Sequence, residues 1–218
     1  MSSFFALLGA IFFSISAAAA DYLILVSPQA SEMEKNAAQE MKKYAGKLLG
    51  REIPIVNHAG AKGKYIRIGS TAEAAAVLQV DFAKFGDSEL IIKSVDSDLY
   101  LAGGKARGSL YAVYEYLERF CNVRFLSPTE EYIPALKELP EADYRFAPRI
   151  KVRQISQRIS GEEDQAFAAK RRLNGILNKP VQLSANGAVR NRFWVATPFC
   201  ASARRKKRHW LPIRISMP

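Results

Sequence analysis

The chain has little with which to build a metal centre, a disulfide framework or a thiol active site. Its two cysteines (Cys121, Cys200) and two histidines (His58, His209) are widely separated among 218 residues. Two cysteines are too few for a disulfide scaffold, and no Cys/His spacing matches a zinc site, so no metal and no cofactor is expected. Glycines at 103, 104 and 108 satisfy neither the dinucleotide nor the P-loop spacing. Acidic residues are missing altogether from the C-terminal quarter. Residues 1–164 hold 20 Lys/Arg and 21 Asp/Glu, whereas residues 165–218 hold 12 Lys/Arg and no acid. The net charge of +11 therefore belongs to the last segment, and no specific nucleic-acid partner is expected for the rest.

What the chain does have begins with an apolar run from Phe4 to Ala20, closed by four alanines just before Asp21. An apolar core followed by small residues is the pattern of a cleaved secretory signal, here cut after Ala20. A secreted or periplasmic location is expected, with retained membrane anchoring as the alternative. The run is short for a span and lacks Lys or Arg ahead of it, so no membrane contact is expected beyond this segment.

Downstream, apolar and amphipathic segments alternate. Tyr22–Val26 is a continuous apolar run, as in a strand covered on both faces. Ser31-Glu-Met-Glu34 is a capping box opening a helix whose buried face carries Ala37, Met41, Tyr44 and Leu48, with Gly50 as its stop. Residues 53–56 and 65–68 read as short strands around a Gly-rich loop, with His58 solvated in that loop. Ser70 or Thr71 caps a short Ala-rich helix reaching Leu78. Residues 89–95 and 99–102 read as strands joined by a turn. Val123–Leu126 is the next strand, and Pro128–Pro148, with four prolines, reads as an extended connector. Ile150–Ile155 alternates like a new strand, and Phe167 onward looks helical up to Gly175. The fold class is α/β, with α+β as the alternative: helices packed on one mixed sheet.

The stretch from Leu99 to Phe120 is the most specific part. A short strand runs into Gly103-Gly104, then Arg107-Gly108, then a helix with Leu110, Val113, Tyr114, Leu117 and Cys121 on one face. The glycines are expected to supply backbone freedom and close approach. Cys121 is expected to be a small core residue. This strand–GG–x–x–RG–helix–strand unit resembles the N-terminal accessory domain of α-glucuronidase-like glycoside hydrolases and their uncharacterised secreted relatives. The resemblance runs from about residue 21 to 186 and includes Arg171-Arg-Leu-Asn-Gly175, similar to the start of the family's catalytic barrel. It implies a signal peptide (1–20), an α/β accessory domain (21–127), the connector (128–148), the first strand and helix of an incomplete (β/α)8 barrel (149–186) and a basic tail (187–218). It also implies polysaccharide degradation as the process, with carbohydrate as a partner only through a barrel absent here, and self-association through the face such a barrel would cover. An extracellular carbohydrate- or polyanion-binding module is the alternative function.

The chain itself offers no catalytic pair. Glycosidases place two carboxyl groups about 5 to 10 Å apart across the scissile bond. Glu115 and Glu118 lie off the apolar stripe and read as surface charges, while Glu130-Glu131 and Glu162-Glu-Asp164 read as solvated. Arg107, Arg158, Arg171 and Asn174 are the weak substrate-binding candidates. Arg107 either faces the barrel junction or serves structurally; Arg158 follows a strand end where barrel ligands bind. Past Gly187 the periodicity stops, which fits either a shifted reading frame or a truncated one.

Overall fold

The computed structural model describes residues 22–60, 63–105, 107–153 and 162–174, and the backbone of 182–183 and 189–190. The elements are β1 (Tyr22–Val26), α1 (Glu32–Leu49), β2 (Ile55–Val56), β3 (Lys64–Ile68), α2 (Ala72–Leu78), β4 (Leu90–Val95), β5 (Asp98–Gly103), α3 (Gly108–Arg119), β6 (Arg124–Phe125), β7 (Glu131–Tyr132), β8 (Asp143–Phe146), α4 (Glu162–Lys170), β9 (Gln182–Leu183) and β10 (Val189–Arg190). Six of the strands form a mixed sheet in the order β2-β1-β3-β5-β4-β8. The pairs β1–β2, β1–β3 and β3–β5 are parallel, and β4 runs antiparallel to both β5 and β8. The class is α/β.

The local signals explain the first half directly. Ser31 accepts from the backbone N–H of Glu34, and the Glu34 carboxylate accepts from the Ser31 backbone N–H at 2.8 Å, so both orphan donors are satisfied. Gly50 ends α1 in the left-handed region at φ 65°. Thr71, rather than Ser70, caps α2. Helices α1 and α3 lie on one face of the sheet, where Ile24, Ile66, Ile92, Leu101, Met41, Tyr44, Leu110 and Leu117 are fully buried. Each such side chain contributes roughly 1.5–3 kcal/mol of burial. On the opposite face α2 covers a smaller cluster that includes Ala74, Leu78, Phe82, Ile91, Tyr100 and Ala102. Strand β1 consequently alternates between buried and half-buried residues rather than being sealed on both faces, because α2 reaches only part of that side.

Three expectations change. Val123–Leu126 does not extend the sheet: β6 pairs with β7 in a separate two-stranded ribbon. Pro128–Pro148 is not a bare connector. Strand β8 adds to the sheet edge along β4, Leu139 and Ala142 are buried, and the chain is tied down by Leu136 N–H to Leu48 O (2.7 Å) and Tyr116 O–H to Pro140 O (2.7 Å). Its prolines break helical periodicity, but its backbone donors find partners in the domain. Residues 150–153 are irregular, so the strand expected at 150–155 is absent over its described part. The rest of that segment, like the signal segment and most of the basic tail, lies outside the described residues.

Gly103, Gly104 and Gly108 all have negative or extended φ, so backbone freedom is not their purpose. Space is. A Cβ on Gly103 would sit 2.3 Å from Glu89 O, one on Gly104 2.0 Å from Gly86 O, and one on Gly108 2.4 Å from the Gly103 carbonyl carbon. The end of β5, the start of α3 and the 86–89 turn touch backbone to backbone.

Two outcomes follow from this packing. Gly104→Ala is expected to cost more than about 3 kcal/mol in urea unfolding, because only backbone can give way, whereas Gly86→Ala, with nothing within 4 Å of its Cβ, stays within about 0.5 kcal/mol. Cys121 is fully buried, and burial pushes its thiol up to about 12. Alkylation mapped by peptide mass spectrometry is therefore expected to label Cys121 only under denaturing conditions; labelling of the native protein at neutral pH contradicts that placement.

Candidate functional site: a charged seam and a crevice on opposite faces

The outer side of α3 is a row of carboxylates met by the cations of Arg171 and Arg172. Glu115 Oε1 pairs with Arg119 Nη2 at 3.0 Å, and its Oε2 with Arg172 Nε at 3.1 Å. Glu118 takes Arg171 Nη1 at 3.0 Å and Arg172 Nη2 at 2.5 Å. The Glu115 and Glu118 side chains are only 11% and 14% exposed, so the surface-charge expectation is corrected: their spacing off the apolar stripe places them under α4 rather than in water. Glu131 is also withdrawn from solvent, bonded to the Tyr44 hydroxyl at 2.6 Å and to Lys170 Nζ. Glu162 and Asp164 belong to the first turn of α4, not to a loop.

Helix α4 stops at Lys170, short of Gly175. Arg172 N–H returns to Ala169 O and Leu173 N–H to Ala168 O, with Arg172 at φ 56°. This is a Schellman ending with arginine where glycine is usual. The left-handed backbone costs an L-residue about 1–2 kcal/mol. The guanidinium offsets that cost by gripping two carboxylates at once.

The four candidates named from the sequence separate here. Arg107 is the N-cap residue of α3, 3% exposed, with its backbone N–H on Asp87 O at 3.0 Å. Its charge is felt by Tyr111 and Arg153. Asn174 is a splint: its Oδ1 accepts from the Arg153 N–H at 2.7 Å and its Nδ2 donates to Lys151 O at 2.6 Å. Arg171 sits further along the seam on Glu118. Arg158 lies outside the described residues. The structure thus brings Arg107 and Asn174 near Arg153, and ties Arg171 to Glu118 and Asn174 to Lys151 and Arg153. Tyr111 closes the group, donating to Leu173 O at 3.1 Å. Burial holds the Tyr111 phenol above its ordinary value, against the pull of Arg107, Arg153 and Arg172. Burial likewise lowers Arg153, and repulsion from Arg107 and Arg172 adds to it.

Sequence reasoning missed Arg153, Arg172, Glu131 and Lys170, whose partners come from distant parts of the chain. It also missed a crevice on the other face of the sheet. This crevice has a volume of about 270 Å³ and is lined in part by Asn57, His58, Arg67, Thr71, Glu73 and Tyr100. Arg67 Nε bonds Asp98 at 2.6 Å and its Nη1 bonds Glu73 at 2.8 Å, while its guanidinium lies 5.4 Å from the Tyr65 ring centre and 5.6 Å from that of Tyr100. The one signal in the sequence was a charge inside the apolar run Tyr65-Ile-Arg-Ile68. Among the described residues no group of His, Cys, Asp or Glu could hold a metal ion.

No protein-family model and no curated protein matches the chain. Among solved structures it is similar to a mutant Streptomyces plicatus β-hexosaminidase in complex with its product GlcNAc, at 16% identity and a TM-score of 0.41. It is also similar to Streptomyces plicatus N-acetyl-β-hexosaminidase in complex with Thio-NAglucal, at 16% identity and a TM-score of 0.40. Each match covers 60% of this chain and 23% of the other, so the chain spans less than a quarter of the length of those hydrolases. A likeness this loose transfers no residue role.

The seam predicts an acid response. Burial pushes the Glu131 carboxyl up, but the hydrogen bonds from Lys170 and Tyr44 outweigh it and hold the group below its ordinary value. A carboxyl lowered in the folded state stabilises fully above its unfolded value of about 4.3 and loses that contribution as pH falls through the folded value. The wild type is therefore expected to exceed Glu131→Gln in urea midpoint at pH 7, with the gap closing below about pH 4. A gap that stays constant across that range contradicts the assignment.

Proposed function

We propose that this chain is the non-catalytic N-terminal support domain of an exported, polysaccharide-degrading glycoside hydrolase of α-glucuronidase-like kind. The observation that carries the supporting role is the α3–α4 seam. Glu115 and Glu118 of α3 bind Arg171 and Arg172 of the segment that comes later in the chain, and Glu131 of β7 binds its Lys170. A helix that faces its own sheet with one side and the next segment with the other acts as a mount for what comes after it.

The same commitments support the non-catalytic reading. The carboxylates largely withdrawn from solvent among the described residues are committed to neighbours: Glu40 to Tyr114, Glu89 to Arg145, Asp98 to Arg67, and Glu115, Glu118 and Glu131 to the seam. A glycosidase needs one protonated and one ionised carboxyl facing a shared open gap. Here the carboxylate oxygens are taken up by guanidinium, ammonium and phenol donors of the same chain. The exported setting rests on the Phe4–Ala20 segment and the α-glucuronidase kinship on the Leu99–Phe120 motif; both belong to this proposal. Among the described residues no helix is long and apolar enough to cross a membrane.

The test is turnover. The purified chain, incubated with p-nitrophenyl glycosides and with a 4-O-methylglucuronosyl xylo-oligosaccharide, is expected to release product no faster than buffer. Release above the blank that survives repurification overturns the non-catalytic reading.

A further inference from the structure

The crevice over β1 and β3 plays no part in mounting α4, since it opens on the face of the sheet opposite α3. Its construction is specific. Arg67 is held by two carboxylates at once and flanked by the rings of Tyr65 and Tyr100, an arrangement that fixes a guanidinium in place. The loop forming one wall is anchored by Tyr65, whose hydroxyl accepts from Gly60 N–H at 2.7 Å and donates to Gly60 O at 3.1 Å. With Nε on Asp98 and Nη1 on Glu73, Arg67 keeps Nη2 as a donor with no protein partner among the described residues. The crevice lies at the carboxyl ends of the parallel strands, where open α/β sheets hold ligands.

The lining decides the ligand. In the lining Arg67 and Glu73 cancel, and Asp98, bonded to the same guanidinium, adds a further negative charge close by, which disfavours a phosphate or a sugar acid, while the half-buried guanidinium disfavours a cation. What remains is a neutral molecule rich in both donors and acceptors. Asn57 and His58 can each offer both, Glu73 offers acceptor lone pairs, and Arg67 offers a fixed donor. The volume of about 270 Å³ falls just below the range of about 300–1,000 Å³ for drug-sized ligands, so it suits a single small ring. We infer that this crevice is a binding subsite for one neutral sugar residue, held by Arg67, Glu73, Asn57 and His58. Such a subsite would hold a sugar chain against this face of the sheet without cutting it. The inference does not depend on the support role of α3, and either can fail alone.

The experiment is a titration of the full chain with xylose, N-acetylglucosamine and glucuronate, read by saturation-transfer and chemical-shift NMR. A neutral sugar is expected to bind saturably with a millimolar Kd, and glucuronate at least about tenfold more weakly, a difference of about 1.4 kcal/mol. Glu73→Gln, at a carboxylate 64% exposed and remote from the core, is expected to fold normally by circular dichroism. It should weaken the neutral sugar about tenfold while narrowing the discrimination against glucuronate. His58→Ala provides a second variant outside the sheet and is expected to weaken the same sugar. Three results overturn the inference: no saturable binding of either neutral sugar to the folded chain, tighter binding of glucuronate than of both, or unchanged affinity in both variants.

Discussion

The structure depends on three glycines being small. Gly103 ends β5, Gly104 follows it, Gly108 begins α3, and the 86–89 turn runs against all of them with no room for a single Cβ. The contact is stitched by Gly104 N–H to Glu89 O and Gly108 N–H to Gly104 O, each 2.8 Å, and by Arg107 N–H to Asp87 O at 3.0 Å. Backbone touching backbone cannot adjust as side chains can, so the direction in which α3 leaves the sheet is fixed to within small shifts. That direction turns Leu110, Val113 and Leu117 into the core beside α1 and turns Glu115 and Glu118 outward to where α4 arrives.

The seam then works by an economy of charge. Two carboxylates one helical turn apart on α3 receive Arg171 and Arg172, and a third, Glu131 on β7, receives Lys170. Lys170 and Glu131 are nearly out of water, at 8% and 16% side-chain exposure. Such a pair contributes little over an apolar substitute but is costly to break on one side, because the remaining charge stays buried. It specifies where the segment docks more than it adds to stability. The left-handed Arg172 fits the same picture, a backbone conformation tolerated because the side chain has two partners waiting.

Much of the fold was legible because its local signals agree. The capping box at Ser31, the apolar steps from Ala37 to Leu48 and the stop at Gly50 each specify α1, and nothing in the tertiary structure opposes them. The Gly103–Gly108 turn was legible as a turn, but the reason for its glycines was not, since the clash involves Gly86 and Glu89, which only folding brings near. Strand β8 was hidden because the prolines around it erase periodicity, and its place in the sheet comes from pairing with β4 and from hydrogen bonds such as Ala142 N–H to Ser94 Oγ. The site residues fared worse for one physical reason. Glu118 and Arg171, 53 positions apart in sequence, or Tyr44 and Glu131, 87 apart, leave no local pattern, so charges that read as solvated were in fact each other's partners. Arg107 and Asn174, both named from the sequence, are held by partners within the chain, Asp87 O on the Arg107 N–H and Arg153 and Lys151 on the Asn174 amide.

The central claim is that α3 carries the segment after it through charge. Hydrogen exchange of amides 162–174 in the full chain at neutral pH tests it most directly, comparing wild type with Glu118→Arg and with Glu118→Arg combined with Arg172→Glu. The account predicts that the single reversal speeds exchange in 162–174 by about tenfold or more while α1 and the central strands are unchanged, and that the second reversal restores part of the protection. Exchange in 162–174 that is as fast in the wild type as in an unstructured peptide, or unmoved by reversing Glu118, would contradict it.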